Sequence, residues 1–217
     1  MIVNLNLQDK IVIIIGGGKE AQKRINSLLK QDCRIIVISD SINAQISRLS
    51  KTKKITLIKQ KIQDTEFLSE FKPNIIITTT NNNKINQKII NKAKRKNILV
   101  YSSDNPEDSD FSNPAIIDFE KMIQIAIFTG GKSPIMAKKL KEKSEIVFKK
   151  IITKEDIIQI KIQKIARKLA KESISTQIQR KEYLHRIMID NEIKQLIANN
   201  QAKKAEKRAI TILKNWK

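Results

Sequence analysis

An α/β fold with a doubly wound, mostly parallel sheet, followed by a small strand–helix region and an all-helical end, is predicted by three features of the sequence. The first hundred residues alternate five short apolar runs with four amphipathic stretches. A glycine turn, Gly16-Gly17-Gly18, joins the first apolar run to the first amphipathic stretch. Beyond residue 150 glycine and proline disappear, and apolar residues recur at helical spacing. Strands that alternate with helices connect by right-handed crossovers, which makes the strands parallel and covers both sheet faces with helices.

The run Ile11, Val12, Ile13, Ile14, Ile15 contains only β-branched residues and reads as a strand buried on both faces. Residues 19–31 follow as a helix, with Ala21, Ile25, Leu28 and Leu29 on one face. Further strands are expected at 34–38, 55–58, 74–78 and 98–102, with helices at 42–49, 64–70 and 84–96. A polar, acidic loop spans 104–111, and two more apolar strands follow at 114–118 and 122–128. Ser133 is a good N-cap and Pro134 a good first helical residue, so a helix should run from 134 to about 150. Ile158, Ile162, Ile165, Ala166 and Leu169 mark an amphipathic helix, and helical pattern continues over 175–189 and 192–216. The expected organisation is a nucleotide-binding domain at 1–113, a central region at 114–150 and a helical domain at 151–217.

Composition bounds the function. Of 217 residues, 40% are hydrophobic and 30% charged, as in a soluble globular protein. No apolar run approaches the roughly 18 residues of a membrane span. The first seven residues have neither a basic start nor a long apolar segment, so no signal peptide is expected. Cys33 is the only cysteine, which excludes an intramolecular disulfide and a cysteine metal cage. It is expected as a small packing residue before the second strand, in a cytoplasmic protein. His185 is the only histidine, and one histidine cannot build a metal site, so no metal ligands are expected. The net charge of +21 suggests nucleic acid. A general richness in Ile, Lys and Asn and an aromatic content of 4% argue against it. Residues 132–217 hold 23 Lys and Arg against 9 Asp and Glu, which favours a strongly anionic ligand or partner near that half.

Strand, glycine turn and helix give the motif Gly16-x-Gly18-x-x-Ala21 a mechanism. Gly16 permits the tight turn, Gly18 the close approach of a pyrophosphate, and Ala21 the packing of helix on strand. The helix N-terminus then offers unpaired N–H groups to phosphate. Asp40 closes the second strand, 24 residues after Gly16. Its carboxylate can accept from both hydroxyls of an adenosine ribose and would repel a 2′-phosphate, which selects NAD; it can also cap the next helix. Thr78, Thr79, Thr80, Asn81, Asn82 and Asn83 end the fourth strand and suit either the nicotinamide side of a dinucleotide or a helix cap. Asp104 lies directly beyond the fifth strand, where a carboxylate partly screened from water could act as a general base, or simply form a turn. Gly130, Gly131, Lys132 and Ser133 open a helix whose N-terminus could hold a carboxylate or phosphate, or be an ordinary capped end.

In their order, Gly16-Gly17-Gly18-x-x-Ala21-x-Lys23, Thr80-Asn81, Asp104, Asp110-Phe111, Pro114-Ala115 and Thr129-Gly130-Gly131-Lys132-Ser133-Pro134 resemble the precorrin-2 dehydrogenase family, the N-terminal module of siroheme synthase. The likeness covers about residues 1–150, and the Thr-Gly-Gly-x-Ser-Pro element is its most specific part. It implies a Rossmann-like domain that oxidises precorrin-2 to sirohydrochlorin with NAD as hydride acceptor. Some members also insert Fe2+, a ferrochelatase activity that these residues leave open. The resemblance places the catalytic aspartate on Asp104 and cofactor contacts on Gly16, Gly18, Lys19, Glu20, Asp40 and Ser41. It sets Ser133 against the substrate cleft and implies a homodimer built through the middle strands and helices. Tyr101 stands where the family often has Asn. Two other readings compete: a non-catalytic NAD-binding regulatory module, which needs neither Asp104 nor residues 130–133, and a basic nucleic-acid-binding protein that uses the C-terminal helices.

Overall fold

A computed structural model describes residues 2–216. Met1 and Lys217, at the outer bounds of the expected first and last regions, lie outside the described residues. The chain forms two compact units, Met1–Asn113 and Pro114–Lys217.

In the first unit the strands are β1 (Ile11–Ile15), β2 (Arg34–Ile38), β3 (Thr56–Ile58), β4 (Ile75–Thr78) and β5 (Leu99–Ser102). They alternate with helices α1 (Lys19–Leu28), α2 (Ala44–Lys51), α3 (Phe67–Phe71) and α4 (Asn83–Arg95). All pairings are parallel, in the order β3-β2-β1-β4-β5. The order reverses between β1 and β4, so a crevice opens there beyond the carboxyl ends of the strands, the place where such sheets bind ligands. Strand alternation splits the apolar residues into two cores. Ile13, Ile15, Ile36, Ile38, Ile76 and Val100 pack on α3 and α4 through Phe67, Leu68, Ile89, Ile90 and Ala93. Val12, Ile14, Ile35, Val37, Ile75 and Ile77 pack on Ala21, Ile25 and Leu28 of α1 and Ile46 of α2. Each fully buried Ile contributes about 1.5–3 kcal/mol, so β1, buried between both layers, fixes the sheet.

The strand boundaries lie within a residue of the periodicity, and the larger departures are at helix ends. Helix α1 stops at Leu28, and Leu29 is its half-exposed C-cap rather than part of the buried face. The chain must reverse at once there to reach β2, and the Gln31 N–H closes the turn on the Leu28 carbonyl. Helix α2 starts at Ala44 because the Asn43 side chain accepts from the Ile46 N–H at 3.0 Å. Helix α3 starts at Phe67 rather than 64 and ends at Phe71, where the C-cap Lys72 takes a left-handed conformation (φ 46°). Cys33 is half-buried against the α1–α2 core, and burial pushes its thiol pKa up, as befits a packing residue.

The second unit opens with the hairpin of β6 (Ala115–Phe119) and β7 (Ile123–Ile127). Its turn uses left-handed Glu120 and Lys121 (φ 50° and 59°), and Asp118 accepts from the Lys121 N–H at 2.8 Å. Helices α5 (Pro134–Ile151), α6 (Lys154–Ser173), α7 (Gln177–Ile189), α8 (Asn191–Ala198) and α9 (Ala202–Lys214) follow. The continuous helical pattern expected over 192–216 is therefore two helices. Asn200 breaks it in the left-handed region (φ 55°), which the short Asn side chain tolerates better than most. Helices α6 to α9 enclose their own core, with Ile162, Ala166, Ala170, Tyr183, Ile187, Ile193, Ile197, Ala205 and Ala209. His185 is on the exposed face of α7. Helix α5 is different. Ala137 is its one buried residue among those described, while Ile135, Met136, Leu140, Ile146, Val147 and Ile151 are each at least 40% exposed.

Tyr183 is fully buried, with its hydroxyl donating to the Ala209 carbonyl at 3.0 Å and Trp216 edge-on at 5.5 Å. Burial raises its pKa to about 12. A raised folded-state pKa stabilises the fold fully below the unfolded value of about 10, and that contribution falls as pH rises toward 12. In thermal melts between pH 9 and 12, Tyr183→Phe should be less stable at pH 9 but lose less stability with rising pH than the parent. Parallel curves would remove Tyr183 as the titrating group.

Candidate active site

The glycine turn is built tightly on one side and openly on the other. Gly16 has φ +111°, and a Cβ there would lie 2.7 Å from Thr79 Oγ1. Its N–H bonds to the Ile38 carbonyl at 3.0 Å, and the Thr79 N–H and hydroxyl both reach the Ile15 carbonyl. A Cβ on Gly17 would lie 2.1 Å from the Ser41 carbonyl oxygen and 2.9 Å from Ile42 Cα, a backbone collision with no escape. Pattern reading treats Gly17 as a free position; here it is the tightest of the three. Around Gly18 an added Cβ would meet nothing within 4 Å. Gly18 is also the N-cap of α1 with no side-chain cap, so the first N–H groups of that helix are left for another acceptor. Gly18 and Lys19 are exposed. An open glycine in front of an uncapped helix end fits a phosphate group.

Asp40 is exposed at the end of β2 and does not cap α2, since Asn43 does that. Ser41 is exposed beside it, and its carbonyl accepts from the Ser39 hydroxyl at 2.6 Å. Gly16, Asp40, Thr80 and Asn82 line a cleft of about 140 Å³ together with Gln60 and Lys61, which follow β3. No sequence signal marked Gln60 or Lys61; they arrive through the length of the β3 loop. Larger cavities exist elsewhere, one of about 740 Å³ at the amino ends of β1, β4 and β5 and one of about 960 Å³ within the second unit. The amino-end cavity lacks both the glycine turn and Asp40, and ligand chemistry of this fold belongs to the carboxyl ends.

Of the polar run after β4, most side chains have internal partners. Asn82 caps α4 by accepting from the Ile85 N–H at 3.2 Å. The Thr80 hydroxyl donates to Asn86 Oδ1 at 2.6 Å and accepts from the Asn82 N–H at 3.2 Å. Asn81 is exposed. Asp104 projects from the loop after β5 and, contrary to the expected screening, is exposed as a residue. Its two carboxylate oxygens are nevertheless engaged: Oδ1 accepts from the Ser102 hydroxyl at 2.6 Å and Oδ2 from the Asn86 amide at 3.0 Å. Partial burial acts to raise its pKa, but the bonds from Ser102, Asn86 and its own loop's backbone outweigh that and hold it below the usual carboxylate value. The loop is pinned to β5 by Asp110, whose N–H reaches the Val100 carbonyl and whose carboxylate accepts from the Val100 N–H, each at 2.8 Å. Sequence reasoning missed Asn86 and Ser102. The signal for Asn86 was present: it heads the buried stripe Asn86, Ile89, Ile90, Ala93, where an amide is out of place without partners.

Tyr101 is on the opposite sheet face from Ser102, among the α1–α2 core residues. Its ring lies against Phe111 (5.7 Å) and under the Arg24 guanidinium (4.6 Å), which also donates to its hydroxyl at 2.8 Å. Arg24 in turn pairs with Glu20, which also pairs with Lys23. Burial opposes ionisation of Glu20, but these two cations prevail and lower its pKa. Its carboxylate is therefore committed along α1, leaving its backbone N–H as the group it can offer a phosphate. Gly130, Gly131, Lys132 and Ser133 belong to the second unit. Both glycines are left-handed (φ +65° and +76°), and Ser133 caps α5 by accepting from the Met136 N–H at 3.2 Å. Lys132 is exposed. Among the described residues no group of three or more His, Cys, Asp or Glu is placed to hold a metal ion, and no helix is long and apolar enough to cross a membrane.

A family model described as "Putative NAD(P)-binding" matches residues 3–115. The chain belongs to that NAD(P)-binding family. Its cofactor class is therefore NAD(P). Curated relatives include siroheme synthase of Vesicomyosocius okutanii subsp. Calyptogena okutanii, 31% identical over 141 residues, which cover 65% of this chain and 29% of that protein. Siroheme synthase of Mannheimia succiniciproducens is 27% identical over 140 residues, 64% of this chain and 29% of that protein. The chain thus spans under a third of the length of these relatives. A solved structure titled "SirC, precorrin-2 dehydrogenase" superposes with TM-score 0.72 at 21% identity, covering 97% of this chain and 99% of that one. It shares the fold from the parallel sheet through the C-terminal helices.

The glycine geometry separates folding from binding. Gly17→Ala should lower the melting temperature of the first unit markedly, because backbone must move to admit the methyl group. Gly18→Ala should melt within a few degrees of the parent yet bind NAD at least tenfold more weakly in calorimetry. Equal NAD affinity for Gly18→Ala and the parent would place the phosphates elsewhere.

Proposed function

We propose that this chain oxidises precorrin-2 to sirohydrochlorin with NAD, with Asp104 as the general base. The observation that carries the reading is an ionised carboxylate held at the carboxyl edge of β5, in the same unit as an uncapped, open glycine turn. The names of the relatives support the substrate class. Gly16, Gly18 and the N–H groups of Lys19 and Glu20 receive the pyrophosphate; Asp40 and Ser41 hold the adenosine ribose; Thr80 and Asn81 flank the nicotinamide end. Bound NAD supplies the hydride acceptor. Asp104 accepts the proton that accompanies hydride loss. Gly130, Gly131, Lys132 and Ser133 bind carboxylates of the substrate, in keeping with the +14 balance of residues 132–217.

Residues 114–150 form the dimerisation region in this reading. A two-stranded hairpin and a helix with six exposed large apolar residues leave a surface that a second copy would cover. The protein works in the cytoplasm as a homodimer, with neither nucleic acid nor membrane as partner.

The test is an absorbance assay with precorrin-2, NAD and purified protein, which should produce NADH and the sirohydrochlorin spectrum; neither signal would refute the reading. Asp104→Ala should abolish turnover while NAD affinity stays within about twofold. Asp40→Ala should narrow the preference for NAD over NADP, and Lys61 in the same cleft is the cation that NADP would then meet. Fe2+ added to the product tests metal insertion, for which Asp104 is the carboxylate that can accept pyrrole protons. In sedimentation velocity the parent should run as a dimer and Ile146→Glu/Val147→Glu as a monomer; a monomeric parent would end the dimer proposal.

A further inference from the structure

Asn86 is a buried amide whose hydrogen-bonding capacity is almost fully used. It is 1% exposed. Its Nδ2 lies 2.9 Å from the Thr80 carbonyl and 3.0 Å from Asp104 Oδ2, and its Oδ1 lies 2.6 Å from Thr80 Oγ1. A carbonyl and a carboxylate can only accept, so the NH2 group must face them and the orientation of the amide has no alternative. The same reasoning sets the direction of the second contact chain. Ser102 Oγ lies 2.6 Å from Asp104 Oδ1 and 3.0 Å from Thr78 Oγ1. Its proton must go to the carboxylate, so toward Thr78 it accepts, and Thr78 donates. Thr78 and Ser102 are both fully buried and are register partners on β4 and β5. Asp104 therefore receives donors from two rigid elements, helix α4 and strand β5, although it sits on a loop.

We propose that Asn86 and Ser102 are the positioning residues of Asp104: they fix its carboxylate at the mouth of the β4–β5 edge and keep it in the form that can take a proton. The proposal deepens the dehydrogenase reading and rests on it for the catalytic consequence. Both donors serve the ionised form. Asn86 cannot become an acceptor toward Asp104 without abandoning Thr80, so a proton on Oδ2 costs the Asn86 contact, and one on Oδ1 requires Ser102 to give up its role as donor. No charged side chain contributes to the shift of Asp104; burial and hydrogen bonds alone set it. The carboxylates on the same loop have other partners or face water: Asp108 accepts from Asn105 at 2.6 Å, Asp110 from the Val100 N–H, and Glu107 is exposed. On α4, Lys84 and Lys88 are exposed.

Two readouts on the full chain test this. The first is the titration of the Asp104 carboxyl carbon by NMR, identified by its loss in Asp104→Asn. The second is the acid limb of kcat/KM with precorrin-2 and NAD. Asn86→Ala and Ser102→Ala should each raise both by about one pH unit, the scale of a lost hydrogen bond to a charged group. Turnover should fall at least tenfold while NAD affinity is unchanged. Ser102→Thr, which keeps the hydroxyl, should restore the parent titration, a rescue that a merely structural role would not produce. If Asn86→Ala does not fold, the two Ser102 variants decide. An Asp104 titration identical in parent and variants overturns the proposal. Absence of turnover in the parent would refute the dehydrogenase reading instead, and the NMR titration would still decide the positioning.

Discussion

The site depends on one close approach, the packing of Gly17 against the backbone of Ser41 and Ile42. With no room for even a methyl group, the turn after β1 and the loop after β2 are locked face to face. Asn43 completes the lock: its N–H bonds to the Gly17 carbonyl at 3.1 Å, its side-chain amide reaches the Gly18 carbonyl at 3.4 Å, and its oxygen caps α2. Three features follow from this single contact. The open Gly18 end of α1 stays beside the loop after β2, Asp40 is held at the edge of the cleft that Gly16 lines, and α2 begins two residues later than its apolar pattern suggests. Because β1 is hydrogen-bonded on both sides and buried on both faces, the turn inherits the rigidity of the sheet.

A second anchoring serves the chemistry. Asp104 lies on a loop, and loops are mobile unless tied down. Here Asp110 staples the loop to Val100, and Ser109 accepts the Ser102 N–H at 2.9 Å. Phe111 then packs on Tyr101, which is wedged between it and Arg24. Arg24 belongs to the helix that starts at the glycine turn, so α1 and the loop that carries Asp104 meet through Tyr101. Tyr101 acts on the sheet face away from Asp104, as a structural brace.

What the sequence disclosed follows the strength of the physical signal. Strands β1 and β2 were legible to the residue because unbroken β-branched runs admit almost no other reading. The glycine turn was legible because strand, glycines and helix agree. The capped start of α5 at Ser133 was legible because serine and proline agree there; the start of α2 was missed because the apolar pattern begins before its Asn43 cap, and the break between α8 and α9 because a left-handed Asn200 leaves the apolar spacing intact. Asn86 escaped because an amide inside an apolar stripe reads as an interruption until its partners are seen. Lys61 escaped because nothing local sets where a loop carries a side chain. The role of α5 is hidden for a different reason: its sequence is amphipathic enough to look self-sufficient, and only the fold reveals that almost none of its large apolar residues are covered.

The lowered pKa of Asp104 looks at first like a poor property for a base, since proton transfer is best served by a pKa near the working pH. The proposed oxidation reverses that judgement. As hydride leaves the macrocycle, positive charge develops on the carbon skeleton, and the adjacent proton becomes far more acidic than in the resting substrate. A weak base then suffices, provided it is ionised at that moment and does not move. A fixed negative charge near the developing cation also lowers the barrier directly, with no reorganisation during the step. Donors from Asn86 and Ser102 serve both needs at once: they trade intrinsic basicity for certainty of charge and position. A carboxylate with the same sequence neighbours but without those two donors would be the stronger base and the less useful one.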